Sequence, residues 1–346
     1  MESAASLFTV DSLALSILLK VGVLAGFFFT APLVVGYLEH KALAHMQARL
    51  GPMEAGRFHG VGQLPADGIK FLQKEDIIPS AADRWVFAIA PGVALVPALV
   101  ILAVIPMGPG VFAEDLDAGV FFALAISSIS VIGVLMAAWS SANKYSLMGG
   151  IRAAAQLIAY ELPLVLAAAA VVVQVGSLSL VDIVEAQFGY QLFGVVPVPY
   201  VVPHVVGFLL FFTAALAELN RPPFDMPIAD SEIIFGHMTE YTGIRYAFFM
   251  LAEYAGMVVL SALATVLFLG GWYVWPGVPL PGGVLGALLG FGVTFGKIAA
   301  LTFIMIWFRA TFPRLREDQL QRMSWLIFIP LALLNIIVVA VAKVFG

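Results

Sequence analysis

The sequence contains no cysteine, and that absence removes two kinds of chemistry at once. No disulfide can staple the chain, and no thiolate can ligate an iron–sulfur cluster. Histidine is sparse as well, limited to His40, His45, His59, His204 and His237. Only His204 falls at the outer end of an apolar run, with no second histidine in a facing run. Neither a bis-histidine haem nor a metal site is therefore expected. Charge is the third scarcity: Asp, Glu, Lys and Arg make up 11% of 346 residues, against about a quarter in a soluble globular chain. The first residues, Met1-Glu2-Ser3, lack the basic stretch of a signal peptide, so the first apolar run is expected to stay uncleaved. Internal repeats, low-complexity tracts and long linkers are also missing. Nucleic acid is not among the expected partners.

Hydrocarbon fills the space that charge leaves. Hydrophobic residues make up 62% of the chain and the mean hydropathy is +1.01, which predicts an all-α, polytopic integral membrane protein forming one domain over 1–346. Runs long enough for about 30 Å of hydrocarbon lie near 13–38, 85–107, 118–139, 153–175, 200–217, 246–270, 284–308 and 323–343. That is about eight transmembrane helices. Fourteen of the 17 basic residues fall in the first, third, fifth and seventh connections, and the second, fourth and sixth hold none. The positive-inside bias then places the odd connections, including the long loops 39–84 and 218–245, in the cytoplasm and both termini outside. In the first long loop, Leu64–Lys74 reads as an amphipathic surface helix. Its Asp67, Lys70 and Lys74 share one face, with Ile69 and Leu72 towards the other. Such a helix either anchors the loop or flanks a lateral opening for a lipid-soluble substrate.

The second long loop carries the unusual chemistry. Between Glu218 and Glu253 the chain holds six carboxylates (Glu218, Asp225, Asp230, Glu232, Glu240 and Glu253) with Arg221 and Arg245, and apolar runs press on both ends. Acids beside hydrocarbon cost several kcal/mol unless paired, solvated or protonated. Pro222, Pro223 and Pro227 prevent one continuous helix. Glu232 and Glu240 fall on neighbouring parts of one face if Ser231 caps a helix after Pro227. Within the spans, Glu161 lies about 13 Å beyond Arg152, Glu253 about 12 Å beyond Arg245, and Lys297 about 18 Å from Arg309, which predicts similar depths. A buried Lys–Glu pair is one reading of these three. Two acids and one lysine leave an acid over, which is the condition for a proton relay.

Four blocks make the pattern specific. They are Gln47-Ala-Arg-Leu-Gly-Pro52 with Ala66-Asp-Gly-Ile-Lys70; Trp139-Ser-Ser-Ala-Asn-Lys-Tyr145 through Arg152-Ala-Ala-Ala-Gln156 to Tyr160-Glu-Leu-Pro163; Asn220-Arg-Pro-Pro-Phe-Asp225 through Thr239-Glu-Tyr241 to Leu251-Ala-Glu-Tyr254; and Arg309-Ala-Thr-Phe-Pro-Arg-Leu-Arg316 with Asp318-Gln-Leu320. With these blocks in order, the chain resembles the H subunit family of respiratory complex I, the proton-pumping NADH:quinone oxidoreductase of bacterial-type cell membranes.

The resemblance implies that Gln47, Arg49, Asp67, Lys70, Arg221 and Asp225 shape a quinone tunnel. It further implies that Glu161, Glu218, Asp230, Glu232, Glu240 and Glu253 belong to a proton pathway, with fixed ion pairing as the competing reading of each. Lys144 and Arg152 read equally as surface or interface cations. Quinone, ubiquinone or menaquinone, is the implied substrate. Flavin and iron–sulfur clusters belong to partners, namely the peripheral quinone-module subunits, and further membrane partners are the antiporter-like subunits. Three departures stand out: His40 in place of an arginine, Gly51-Pro-Met-Glu-Ala-Gly56 in place of Gly-Pro-Asn-x-x-Gly, and Ile228 at a position commonly glutamate. Two alternatives share the charge pattern. One is the membrane subunit of an energy-converting hydrogenase, against which the Gln47–Lys70 mouth argues. The other is a proton-coupled secondary transporter, which predicts an inverted repeat that the sequence does not display.

Overall fold

The computed structural model describes residues 13–56, 58–192, 196–228 and 230–345, except the side chains of 13, 192, 230 and 231. Thirteen α-helices appear in chain order among them: α1 (Leu13–Met46), α2 (Gln63–Gln73), α3 (Arg84–Leu102), α4 (Gly119–Ser127), α5 (Ile129–Ser140), α6 (Lys144–Val175), α7 (Leu180–Gly189), α8 (Val205–Glu218), α9 (Asp230–Ile233), α10 (Gly243–Phe268), α11 (Gly283–Thr311), α12 (Glu317–Met323) and α13 (Ile329–Phe345). A two-residue antiparallel hairpin, Gln191–Leu192 with Val196–Pro197, is the sole sheet among the described residues. Seven helical stretches are long and apolar enough to cross a membrane, and α8 is an eighth, shorter apolar helix.

Several ends differ from the apolar runs that predict them. The third run is split at Ser128, where Ser127 and Ser128 hydroxyls turn back onto the carbonyls of Leu124 and Ala125 (both 2.8 Å). The fourth begins at Lys144 because the Asn143 side chain caps it, accepting from the Tyr145 N–H at 2.9 Å. The fifth forms only 14 helical residues, about 21 Å of rise. The last passes through a π-turn, Ser324–Phe328, between α12 and α13.

Helix packing follows membrane logic, in which small residues let backbones meet. A Cβ added at Gly133 of α5 would stand 2.5 Å from the Ala94 nitrogen of α3. The core lies where α3, α5, α6, α8 and α10 converge. α10 is buried along most of its apolar length, whereas α1 and α13 are largely exposed and present lipid-facing apolar surface.

Candidate functional site

The site is organised around Arg221, 1% exposed and the largest fully buried side chain among the described residues. It stands in the loop after α8, and Gln156 of α6 sets that loop's shape. The Gln156 amide nitrogen donates to the carbonyls of Ala217 and Phe224, both at 2.7 Å, and to Asn220 Oδ1 at 3.1 Å. On the other side, Leu315 N–H donates to the Pro223 carbonyl at 3.1 Å, and Arg314 donates to the Asp225 carbonyl. The loop is thereby held between α6 and the α11–α12 link.

Arg221 Nη1 meets Glu39 Oε2 at 2.5 Å, and Nε meets Glu253 Oε1 at 2.8 Å. Its guanidinium lies 4.9 Å from the Tyr254 ring centroid. Arg309 closes on the other oxygen of Glu39, itself 2% exposed. Burial works against the charged guanidinium, but Glu253 and Glu39 outweigh it and hold Arg221 well above its ordinary range. Sequence reasoning missed Glu39 and Arg309 as members. Their signal was an acid ending one apolar run and a base ending another, and partnership between positions 39 and 309 is invisible in one sequence.

Behind Glu253 lies a cavity of about 120 Å³, whose wall includes Glu218, Glu253, Asn220, His237, Ser127 and Ser130. Ile228 lines it too, so the departure from glutamate removes an acid from this wall. The Glu218 carboxyl is buried, interacts with Ser127 and lies within electrostatic range of Glu161, which interacts with Ser128. The break between α4 and α5 thus puts two hydroxyl-bearing residues against two acids.

The remaining predicted residues are distributed differently. Residues 230–242 do not form one helix: α9 ends at Ile233, Ile234 and Gly236 take positive φ (59° and 53°), and a 3-10 turn, Gly236–Met238, follows. Glu232 and Glu240 therefore share no helix face. Glu232 is half-exposed and pairs with Arg152 at 2.6 Å, with Arg152 also 3.6 Å from Glu317. The bond to Arg152 and its charge hold the Glu232 carboxyl below the ordinary range. Glu240 accepts from the Asn143 amide. The Asp230 side chain lies outside the described residues.

Lys297 is not at the depth of the acids. Its ammonium donates to the carbonyls of Leu269 (2.5 Å), Gly271 (3.0 Å) and Tyr273 (2.6 Å), just past the end of α10. Leu269 lies 16 residues beyond Glu253, about 24 Å along a helix. No Lys297–Glu pair forms among the described residues.

At the expected mouth, α2 packs on α1 and α10 and buries no residue completely, leaving Ile69 and Leu72 exposed. Asp67 accepts from Gln63 and Lys70 at 3.0 Å. Slight burial raises the Asp67 carboxyl, but Gln63, Lys70 and the charge of His40 outweigh it and leave it below the ordinary range. Arg49 Nε donates to Gln47 Oε1 at 2.9 Å. Each pair is local, and no hydrogen bond joins the two among the described residues. The altered turn 51–56 is anchored by Lys41, which reaches the Leu50 and Pro52 carbonyls and Met53 Sδ (3.1 Å).

A family model described as NADH dehydrogenase matches residues 19–340. The chain is 45% identical over 310 residues to the H subunit of NADH-quinone oxidoreductase from Geobacillus kaustophilus (strain HTA426), covering 88% of this chain and 87% of the relative. It is 46% identical over 306 residues to the protein of that name in Anoxybacillus flavithermus (strain DSM 21510 / WK1), with the same coverage of 88% and 87%.

Proposed function

This chain belongs to the NADH dehydrogenase family, and on that premise we propose that it is the membrane subunit coupling quinone chemistry to proton movement in a proton-translocating NADH:quinone oxidoreductase. The observation that carries the reading is one buried guanidinium shared between Glu39, on the α1 side where α2 packs, and Glu253, on the cavity. Such sharing makes the two sides electrostatically dependent. Negative charge arriving on the mouth side competes with Glu253 for Arg221. A carboxylate that loses part of its cationic partner gains proton affinity, and Glu253 then draws a proton from the cavity. Glu218, on the same wall, and Glu161, within range of Glu218, titrate as a coupled set that passes the proton onward.

Gln47, Arg49, Asp67 and Lys70 form the polar rim of the mouth, and the exposed apolar residues of α1 and α2 receive a long apolar tail from the lipid. Arg221 and Asp225 stand at its inner end. Quinone, bound there, supplies the two-electron acceptor. The flavin and iron–sulfur clusters sit in peripheral partner subunits, as a chain without cysteine suits, and antiporter-like subunits continue the membrane arm. The names of the relatives favour this reading over a hydrogenase-type complex or a transporter. Charge alternation puts both termini outside the cytoplasm, so a cytoplasm-dependent reporter fused after Gly346 should stay silent. In the assembled enzyme, Arg49→Ala should impair quinone reduction while electron transfer to a hydrophilic acceptor persists. Unchanged quinone kinetics would remove the mouth from this place.

A further inference from the structure

His237 is buried chemistry that the route above does not use. It is 4% exposed, sits in the Gly236–Met238 turn, and lines the same cavity as Glu218 and Glu253. Its Nδ1 has no hydrogen-bond partner among the described residues, and Glu218 Oε2 is in the same condition. Buried polar atoms are nearly always satisfied by protein or by ordered water. A space of about 120 Å³, with polar side chains on part of an otherwise apolar wall, has room for several waters, each needing two to four partners. Ser127, Ser130 and Asn220 on the wall add to those partners. The ring is held in place: it meets Phe249 edge-on at 5.5 Å, and the Ser146 hydroxyl donates to the His237 carbonyl at 3.3 Å.

We propose that His237 is a proton-relay residue of this cavity, exchanging protons through cavity water with Glu218 and Glu253; this rests on the reading of those two acids as proton carriers. Burial holds the imidazole down at about 4, so it is neutral at working pH. A neutral imidazole donates at one ring nitrogen and accepts at the other. It takes a proton on one nitrogen as it releases the proton on the other, so no charge is left standing in a low-dielectric space. The first tautomer returns when a chain of cavity water carries a proton directly from one ring nitrogen to the other, so the transferred proton is not sent back to its donor. The charged groups facing it across the cavity are Glu218 and Glu253, while α5 contributes Ser130 and Val134. Three residues on, Glu240 accepts from Asn143 at the start of α6, and His237 is one point at which the acid loop itself reaches the cavity wall.

The test uses the whole complex in sealed membrane vesicles, with His237→Gln, His237→Phe and Glu218→Gln. Glutamine still binds water but does not take up a proton. Both His237 variants should keep electron transfer to a hydrophilic acceptor and lose about ten-fold in initial pumping rate. The solvent deuterium isotope effect on quinone turnover should at least double as proton delivery becomes limiting. A merely structural histidine predicts normal pumping and an unaltered isotope effect in His237→Gln, and that result overturns the proposal. His237→Asn serves the same purpose if glutamine disturbs assembly. If Glu218→Gln pumps normally, the reading of the cavity itself fails. If Glu218→Gln is impaired and His237→Gln is not, only the relay role falls.

Discussion

Arg221→Met is the most informative single perturbation of this molecule. It removes the cation from two carboxylates while keeping an unbranched, apolar side chain in place of arginine's stem. Removing one partner from a buried pair costs roughly 3–5 kcal/mol, because the other charge is left uncompensated. Two features put Arg221 at the lower end of that range. Glu39 keeps Arg309, and the Glu253 side chain is 21% exposed beside the cavity. Loss of the Tyr254 contact adds roughly 0.5–1 kcal/mol. A total of about 3.5–4 kcal/mol, at about 1.4 kcal/mol per decade, shortens the heat-inactivation half-life of the purified complex by up to several hundred-fold. Arg221→Lys should fall between, near 1–2 kcal/mol, since a single ammonium does not reproduce a fork that meets Glu39 and Glu253 together. The decisive comparison is the double variant with Glu253→Gln, which removes the stranded charge. In that background Arg221→Met should cost about 1 kcal/mol or less. If it shortens the half-life as much with Glu253→Gln as without, Arg221 is not held by Glu253 and the shared-guanidinium argument is wrong.

Other perturbations probe other parts. Glu161→Gln should leave the complex assembled but lower pumping and coupled turnover, and Glu161→Asp should retain more of both; an unaltered proton-to-electron ratio and rate in Glu161→Gln takes Glu161 out of the relay. Gly149→Ala puts a Cβ 2.4 Å from Gly236 Cα, so it should cost about 1–3 kcal/mol and loosen the His237 turn, seen as faster amide exchange at 236–238; undisturbed protection there contradicts the close approach. Asp67 is held below the ordinary carboxylate range when folded, so its contribution is present above about pH 4 and is lost as pH falls through the lower folded value. Amide exchange in α2, corrected for intrinsic rates, should rise over that acid window, and Asp67→Asn should abolish the rise; a persistent rise in the variant assigns it to another group.

Hydropathy made the helical membrane architecture legible, because the length of an apolar run is a linear property of a chain. What it left out is non-linear. Glu39 is 182 positions from Arg221 and 270 from Arg309, and no local signal joins them. Lys297 was misplaced because rise per residue measures depth from each helix's own charged end, and those ends are not level. The division at Ser128 is hidden in an unbroken apolar run, since the serine hydroxyls satisfy carbonyls of their own turn. The stretch 230–242 has helical composition, but Ile234 and Gly236 take left-handed backbone, which residue preference does not foretell for isoleucine. The acids at 218 and 253 were recognisable from their neighbours; that an imidazole shares their cavity required coordinates.

The two glycine contacts also govern how the molecule carries load. At Gly133 against Ala94, and at Gly149 against Gly236, main chain meets main chain with no side-chain layer between. A side-chain layer yields by changing rotamers, whereas touching backbones are stiff and pass strain on. α3 and α5 are therefore stiffly joined to each other, and the turn carrying His237 is seated directly on the main chain of α6. A shift of that turn against α6 cannot be absorbed by a side-chain rotamer change, so the wall that His237 lends to the cavity moves only with the turn as a whole.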